Sequence, residues 1–487
     1  MYLGIDIGTS AVKAVIADGP ERVAATATAP LTVSSPHPGW SEQAPEAWWK
    51  ATIAAVAELK EHHPGALGAV RGIGLSGQMH GAVVLGGDHR PLRPAILWND
   101  GRSAALCKDL TAALPAIGDI SGAPAMPGFT APKVLWLAEA EPDVHTRIAH
   151  ILLPKDFVRL KLTGDLATDM ADAAGTMWLD QASRRWSETV CAASRTDPAW
   201  LPELYEGTAA TGALSRNASD TLGLPPGVPV AAGGGDAAAG AMGIGAIDDG
   251  DAFISLGTSG QLFVTTADYR PKPEAALHAY AHCVPGRWFQ MAAMLNGASP
   301  MQWFAGAVDA KIATLLAEAD AAPPDDGLLF LPYLTGERTP HNDARIRGAF
   351  YGLTPSTTRG QMMRAVVDAI AYCFADSAAA LAAAGTPLRQ PAAIGGGTKG
   401  ASVLQTLADV LDVSVSTYAG ADVGPALGAA RLAMVASGDV RLQDAAVKPA
   451  LDCVFEPCAA DFDRHRDQLA RWRGLYQALK PFAQSAG

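Results

Sequence analysis

The sequence predicts an α/β chain of two similar domains with a ligand cleft between them. Two observations carry this. At 487 residues the chain exceeds one ordinary core, since domains run to roughly 100–200 residues. One short loop also occurs twice, half a chain apart: Gly4-Ile5-Asp6-Ile7-Gly8-Thr9-Ser10 and Ile254-Ser255-Leu256-Gly257-Thr258-Ser259-Gly260. Each is an apolar strand ending in Gly-Thr-Ser. Glycine lets the backbone turn sharply and approach a ligand, and free N–H groups and hydroxyls at such a turn hold phosphate oxygens. One loop per half implies two domains gripping a polyphosphate.

In chain order, residues 1–18 read as a hairpin whose second strand begins at Ala11. Pro45 to about Lys60 reads as a helix, because proline suits a first turn and Trp49, Ile53, Val56 and Leu59 share a face. Val70 to Leu85 reads as two strands around a bend containing Gln78-Met79-His80. Helices are expected at 132–140, 143–150 and 155–162. A strand near Val230 leads into Gly233-Gly234-Gly235, and a small-residue helix follows from about Ala237. The Gly- and Asp-rich stretch 243–250 is the candidate boundary, dividing the chain into 1–245 and 246–487. The plan restarts at Ala252, with helices at 359–384 and 400–412 and a glycine-rich turn at Gly424-Pro425-Ala426-Leu427-Gly428.

Composition excludes several classes. There is no unbroken apolar run of about 18 residues, so no membrane span is expected. The start, Met1-Tyr2-Leu3-Gly4-Ile5-Asp6, lacks the basic segment of a secretory leader, which places the chain in the cytoplasm. A net charge of −12 disfavours nucleic acid, whose phosphates call for clustered Lys and Arg. The six cysteines form no Cys-x-x-Cys pair and read as buried free thiols.

Gly72-Ile73-Gly74-Leu75-Ser76-Gly77 matches G-x-G-x-x-G, but the dinucleotide fingerprint needs a helix opening at its glycines. Here an apolar strand runs through them. No G-x-x-x-x-G-K-[ST] occurs. The two Gly-Thr-Ser turns therefore remain the phosphate candidates. Asp6 lies two residues before Gly8 and shares its strand face. An acid on so apolar a strand needs a partner when buried, and Mg2+ carried by ATP supplies one, through water. Asp236, before a helix, reads on its own as an N-cap.

Three segments, Gly4–Lys13, Leu256–Gly260 and Ile394–Lys399, resemble the two phosphate motifs and the adenosine motif of the actin/hexokinase/Hsp70 ATPase superfamily. Within it the chain is similar to the FGGY carbohydrate kinases. One signature of that family is met at Gly348–Leu353, Gln361-Met362 and Ala365–Asp368. The other is met at Gly128–Leu137 and departs at Ala140, where a polar residue is usual. Gly77–Gly81, Ile96–Arg102, Leu153–Asp156 and Asp172–Trp178 are similar to the blocks of the family's D-xylulose-phosphorylating members.

The resemblance implies two actin-like (ribonuclease H-like) domains, each a mixed five-stranded sheet with helices on both faces. The last helix is a candidate to pack back on the first domain. It implies ATP and Mg2+ as cofactors, a small sugar as partner, and is compatible with a homodimer. Asp236 takes the role of base and Asp6 holds the metal through water. Gln78, Met79, His80, Trp98, Asn99, Asp100 and Arg102 join Asp236 at the sugar. Gly8, Thr9, Ser10, Lys13, Gly257, Thr258, Ser259, Gly396, Gly397, Thr398 and Lys399 hold ATP. Asp100 and Arg102 read equally as a structural ion pair. Thr335–Pro340 reads either as part of the cleft wall or as a loop fixed by a Glu337–Arg338 pair. Ala237, Gly400 and Val403 depart from the family pattern, which usually has Asn, Ser and Trp there. Another ketose or a polyol as substrate, and an actin-like assembly or regulatory ATPase, remain the alternative readings.

Overall fold

The computed structural model describes residues 1–419 and 424–485. Its two large sheets have seven strands each. Counting only their strands, the first comprises β1 (Tyr2–Ile7), β2 (Ala11–Ala17), β3 (Val23–Pro30), β4 (Ile73–Gly77), β5 (Ala210–Ala213), β6 (Pro229–Ala231) and β7 (Gly234–Gly235). The second comprises β8 (Ala252–Leu256), β9 (Gly260–Thr266), β10 (His278–Ala281), β11 (Trp288–Met294), β12 (Ala392–Ile394), β13 (Val415–Tyr418) and β14 (Leu451–Phe455). The order is β5-β6-β4-β1-β2-β3, with β7 also on β4, and β10-β11-β9-β8-β12-β13-β14.

The duplication read from the Gly-Thr-Ser loops extends to topology. In each half an antiparallel hairpin (β1–β2, β8–β9) adds an antiparallel strand on one side and two parallel strands on the other. The expected five strands are this shared plan. The count rises to seven through β5 and β7 in the first sheet and β10 and β14 in the second: β5 and β14 are matching antiparallel edge strands beside β6 and β13, while β7 and β10 have no counterpart in the repeat.

The principal helices are α1 (Pro45–His62), α2 (Thr130–Ala140), α3 (Pro154–Thr163), α4 (Met170–Ala174), α5 (Asp236–Gly243), α6 (Arg359–Ala383), α7 (Ala401–Leu411), α8 (Gly424–Ala436) and α9 (Ala459–Ser485). On α1 the inward face is Trp48, Ala51, Thr52, Ala55, Val56 and Leu59, with Trp49 and Ile53 only half-buried. The expected stripe is rotated because the Trp48 indole N–H finds a buried acceptor in Gln43 Oε1 at 2.9 Å. The stretch 143–150 is not one helix. A four-residue turn of helix ends at His145, and His150–Leu152 pairs as a strand with Val83–Leu85. Among the described residues one helix, α6, is long and apolar enough to cross a membrane, and 72% of its most apolar window is buried inside the protein.

The Gly424–Gly428 segment is the first turn of α8 rather than a loop. Gly428, with Gly4 and Gly74 on the facing strands, serves close packing. A Cβ on Gly428 would stand 1.8 Å from the Ala239 carbonyl of α5, one on Gly4 of β1 2.0 Å from the Ala426 carbonyl, and one on Gly74 of β4 1.8 Å from the Ala429 carbonyl. A helix from late in the chain thus lies between the first sheet and α5. Arg431, fully buried on α8, donates to the carbonyls of Pro20 and Met242 at 2.9 and 2.8 Å. The last helix, α9, does not pack on the first sheet. Its Trp472 is buried in the second core and donates to the Phe330 carbonyl at 2.8 Å.

Candidate active site

Strand register assembles the site. Ile7, Gly77 and Gly235 stand side by side at the C-terminal ends of parallel β1, β4 and β7. Three loops leave from there: the first Gly-Thr-Ser turn, the Gln78-Met79-His80 bend and Asp236. Ligands of open α/β sheets bind at this edge. In the second sheet, Ser255 pairs with Ile394. Gly395, at φ +98, and Gly397 lie so close to the Leu256 carbonyl that a Cβ on either would sit 2.8 Å from it. Gly396–Lys399 is therefore fixed beside the second Gly-Thr-Ser turn. Thr398 and Lys399 line one pocket with Ile394 and Tyr418. Val403 faces the core instead, and Gly400 caps α7.

Asp236 opens α5 but does not cap it; the cap position is Gly235 and carries no side-chain bond. Its Oδ1 accepts only the Ala237 N–H at 2.8 Å, and Oδ2 has no hydrogen-bond partner among the described residues. The carboxyl is pushed up to about 7, first by the protein packed around it and then by the Asp6 charge, while the Ala237 N–H pulls the other way. Its open side faces solvent, which screens the Asp6 repulsion.

Asp6 pairs in register with Lys13 on β2 and Ser76 on β4. Burial raises its carboxyl to about 6 against the opposing pull of Ser76 and Lys13. Its Oδ1 is sealed from water with no hydrogen-bond partner. An orphaned buried carboxylate oxygen beside a phosphate turn fits a hard cation. We expect Asp6→Ala to raise the KM for Mg-ATP at least tenfold while sugar affinity by calorimetry changes less than about threefold, the loss falling on one substrate because only the phosphate strand is altered. Lost sugar affinity with an unchanged Mg-ATP KM would contradict this.

Met79 packs against Gly235, the neighbour of Asp236, and His80 against Gly175. A Cβ on Gly235 would lie 2.7 Å from Met79 Sδ, and one on Gly175 2.5 Å from His80 Nδ1. His80 holds φ +70. Its carbonyl accepts Thr130 Oγ1 at 3.1 Å and Lys133 Nζ at 2.8 Å. Burial drives the imidazole down to about 3, so it is neutral. Nδ1 is 2.6 Å from the Gly175 carbonyl, which can only accept. Nδ1 therefore carries the proton, and Nε2 is left as an acceptor for a hydroxyl.

Other expected site residues are committed within the protein. Gln78 Nε2 donates to the Gly8 carbonyl at 3.2 Å and Gln43 Oε1 at 3.1 Å. Thr9 Oγ1 donates to Gln78 Oε1 and accepts from Trp98 Nε1, both at 3.0 Å. Gln78 and Trp98 thus hold the first turn in shape. Ser10, Thr258 and Ser259 stay exposed, and Gly8 and Gly257 are half-buried. Asp100 and Arg102 form the structural ion pair: Asp100 accepts Arg102 Nε at 2.9 Å and Nη2 at 2.7 Å, both side chains are 1% exposed, and the guanidinium lies 3.7 Å over the Trp40 ring. Asn99 is exposed.

Sequence reasoning missed two buried lysines. Lys133 fixes the His80 turn as described. Lys155 sits in a fully buried cluster, 2.6 Å from Asp169 and 3.4 Å from Asp172, and pairs with Asp156. The three carboxylates could enclose a metal, but the ammonium already occupies that place. Arg159, 4.0 Å from Asp156, supplies a second positive charge. Burial raises Asp172 well above the usual carboxylate range, and it keeps its proton, which balances the cluster. For Lys133 the available signal was a lone lysine in a largely apolar helical stretch; Lys155 shares its helix with Asp156, Arg159 and Lys161, which conceal it. Four cysteines are buried as expected, and Cys453 and Cys458 are exposed.

Residues 1–243 match the N-terminal domain, and 252–437 the C-terminal domain, of the FGGY family of carbohydrate kinases. The chain is 44% identical over 484 residues to the xylulose kinase of Escherichia coli K12, covering 99% of both. In structure it is similar to a xyloylose kinase from Brucella ovis (42% identity, TM-score 0.95, 99% of both chains) and to the xylulose kinase of Rhodospirillum rubrum (31%, 0.93, 99% of both). The two Gly-Thr-Ser turns, the bend at Met79-His80 and the uncommitted carboxylate of Asp236 are thus arranged in a chain that belongs to the FGGY family of carbohydrate kinases.

Proposed function

We propose that this chain transfers the γ-phosphoryl group of Mg-ATP to O5 of D-xylulose, giving D-xylulose 5-phosphate and ADP. The observation that carries the reading is Asp236: a carboxylate unspent on capping, open to solvent, pushed up to about 7 and flanked by Met79 across Gly235. The xylulose kinase relatives share nearly the whole length.

Phosphoryl transfer is mainly positioning and charge stabilisation. Asp236 Oδ2 receives the proton of the attacking hydroxyl, while the Ala237 N–H holds Oδ1 and fixes the carboxylate plane. His80 Nε2 accepts a second sugar hydroxyl. Ser10, Thr258, Ser259 and the backbone of the two turns take phosphate oxygens, with Lys13 and Lys399 as counter-charges and Gly396, Gly397 and Thr398 beside the adenosine. Asp6 would hold Mg2+ through water, and the ion would neutralise phosphate charge. The cytoplasm, where ATP is supplied, is the compartment this reading requires. An ADP-release assay with D-xylulose against a panel of pentuloses and alditols tests it. Faster release with another sugar would reassign the substrate, and ATP turnover indifferent to every sugar would overturn the kinase reading.

Ala237 is buried beside the base, where family members usually carry Asn. We expect Ala237→Asn to lower the KM for D-xylulose by no more than about tenfold, the worth of one neutral hydrogen bond, with turnover little changed. Loss of D-xylulose activity would instead indicate a pocket shaped for a different sugar.

A further inference from the structure

We propose that Arg338, with His278 and Tyr280, reaches from the second half into the sugar pocket and binds the end of the ketose remote from Asp236. The inference rests on the sugar-kinase reading above and assigns its missing half: nothing described so far recognises the carbonyl end.

The Glu337–Arg338 side-chain pair suggested by sequence does not form. Glu337 Oε1 accepts the backbone N–H groups of Leu295 and Arg338, each at 2.7 Å, and Oε2 accepts Asn296 Nδ2 at 3.2 Å. The Arg338 guanidinium makes no hydrogen bond or ion pair among the described residues, and the residue is half-buried. Its direction is set by Thr339, whose Oγ1 donates to the Ala276 carbonyl at 2.8 Å and whose N–H donates to the Ala293 carbonyl at 3.2 Å. These bonds pin the loop across the ends of β10 and β11.

Strand β10 is also where the second sheet meets the first half. Ala279 N donates to the Gly122 carbonyl at 2.7 Å, and Ala281 N to Gln181 Oε1 at 2.8 Å. Rings bridge the junction in sequence: His80 to Phe129 at 4.8 Å, Phe129 to His278 at 5.9 Å and His278 to Tyr280 at 5.4 Å. His278 is 2% exposed, and its Nδ1 has no partner. The Tyr280 hydroxyl likewise has none among the described residues. The His278 ring nitrogen, sealed from water without a partner and standing with an unpaired cation and a hydroxyl at one junction, points to a ligand, because such a nitrogen otherwise costs stability. The charges agree with this placement: burial first, and the Arg338 cation in addition, keep both His80 and His278 neutral.

The chemistry matches a hydroxymethyl ketone. A guanidinium has donors only, and a ketone oxygen only accepts. The neutral His278 ring bonds the Met291 backbone, which leaves bare Nδ1 as an acceptor for the adjacent hydroxyl proton. Arg338 would take the C2 carbonyl oxygen and His278 the C1 hydroxyl, with Tyr280 able to serve either.

The test compares wild type with Arg338→Ala, Arg338→Lys and Tyr280→Phe, measuring KM for D-xylulose, KM for Mg-ATP and thermal melting. Arg338→Ala should raise the sugar KM by about 10- to 150-fold, the range for hydrogen bonds to a charged group. The Mg-ATP KM should stay within about twofold, because the loss is confined to sugar contacts. Arg338→Lys, which keeps the charge but not the planar fork, should fall between. Tyr280→Phe, which removes only a hydroxyl and keeps the packing, covers the case in which Arg338→Ala does not fold, and should raise the sugar KM alone. An unchanged sugar KM, or equal losses on both substrates, would make Arg338 a brace and overturn the proposal. If wild type does not turn over D-xylulose, the functional reading fails separately, and the same variants are measured on whichever ketose of the panel it phosphorylates.

Discussion

Asp236→Asn should lower turnover on D-xylulose by about two orders of magnitude or more, the typical contribution of a positioned general base. Asparagine keeps the size and the oxygen that accepts the Ala237 N–H, so the loss isolates the proton acceptor. ATP should still bind with near-wild-type affinity, since the phosphate turns lie on other strands. The pH profile offers an independent check. A base works deprotonated, and burial and the Asp6 charge raise this one to about 7. kcat/KM, which reports the free enzyme, should therefore be full above that pH and fall about tenfold per unit below it. Turnover of the Asn variant within about threefold of wild type, or a kcat/KM flat from pH 8 to 5, would remove Asp236 from the mechanism.

Lys155→Met should destabilise the fold by about 3–5 kcal/mol, the cost of breaking a fully buried ion pair from one side. Burial works against the Lys155 charge, but Asp156 and then Asp169 outweigh it and hold the ammonium protonated well into the alkaline range. Removing it leaves Asp156 and Asp169 with Arg159 alone. Asp169 also caps α4 through the N–H groups of Ala171 and Asp172, so a displaced carboxylate would loosen the turn that carries Gly175 to His80. Chemical denaturation measures the loss, and adding Asp169→Asn, which retains a capping oxygen, should recover part of it. A change below about 1 kcal/mol, the scale of an exposed pair, would show that the cluster carries no such weight.

Much of this was legible in the chain. The Gly-Thr-Ser repeat and the Asp6 strand follow from local pattern, and register then placed them as expected. Gly424–Gly428 misled because glycine serves turns and tight helix packing alike, and only the facing Ala239 carbonyl tells which. Gln78 and Thr9 have internal partners that the sequence does not reveal: a polar side chain at a ligand edge serves the ligand, the loop that holds it, or both, and composition does not distinguish them. Lys133 was hard to see because the His80 carbonyl that it bonds lies 53 positions away. The unpaired Arg338 was hidden by Glu337, its immediate and oppositely charged neighbour.

The position of α8 has a consequence for biosynthesis. The first sheet is complete once residue 235 has been made, yet the helix that covers β1 and β4 ends at Ala436. Until about nine-tenths of the polypeptide has left the ribosome, the face around Gly4 and Gly74 has no partner, and its small residues offer little to bury by themselves. The nascent first half must therefore wait, incompletely packed, through the synthesis of the second. A gene cut at the apparent boundary near residue 245 would separate the first sheet from its own cover.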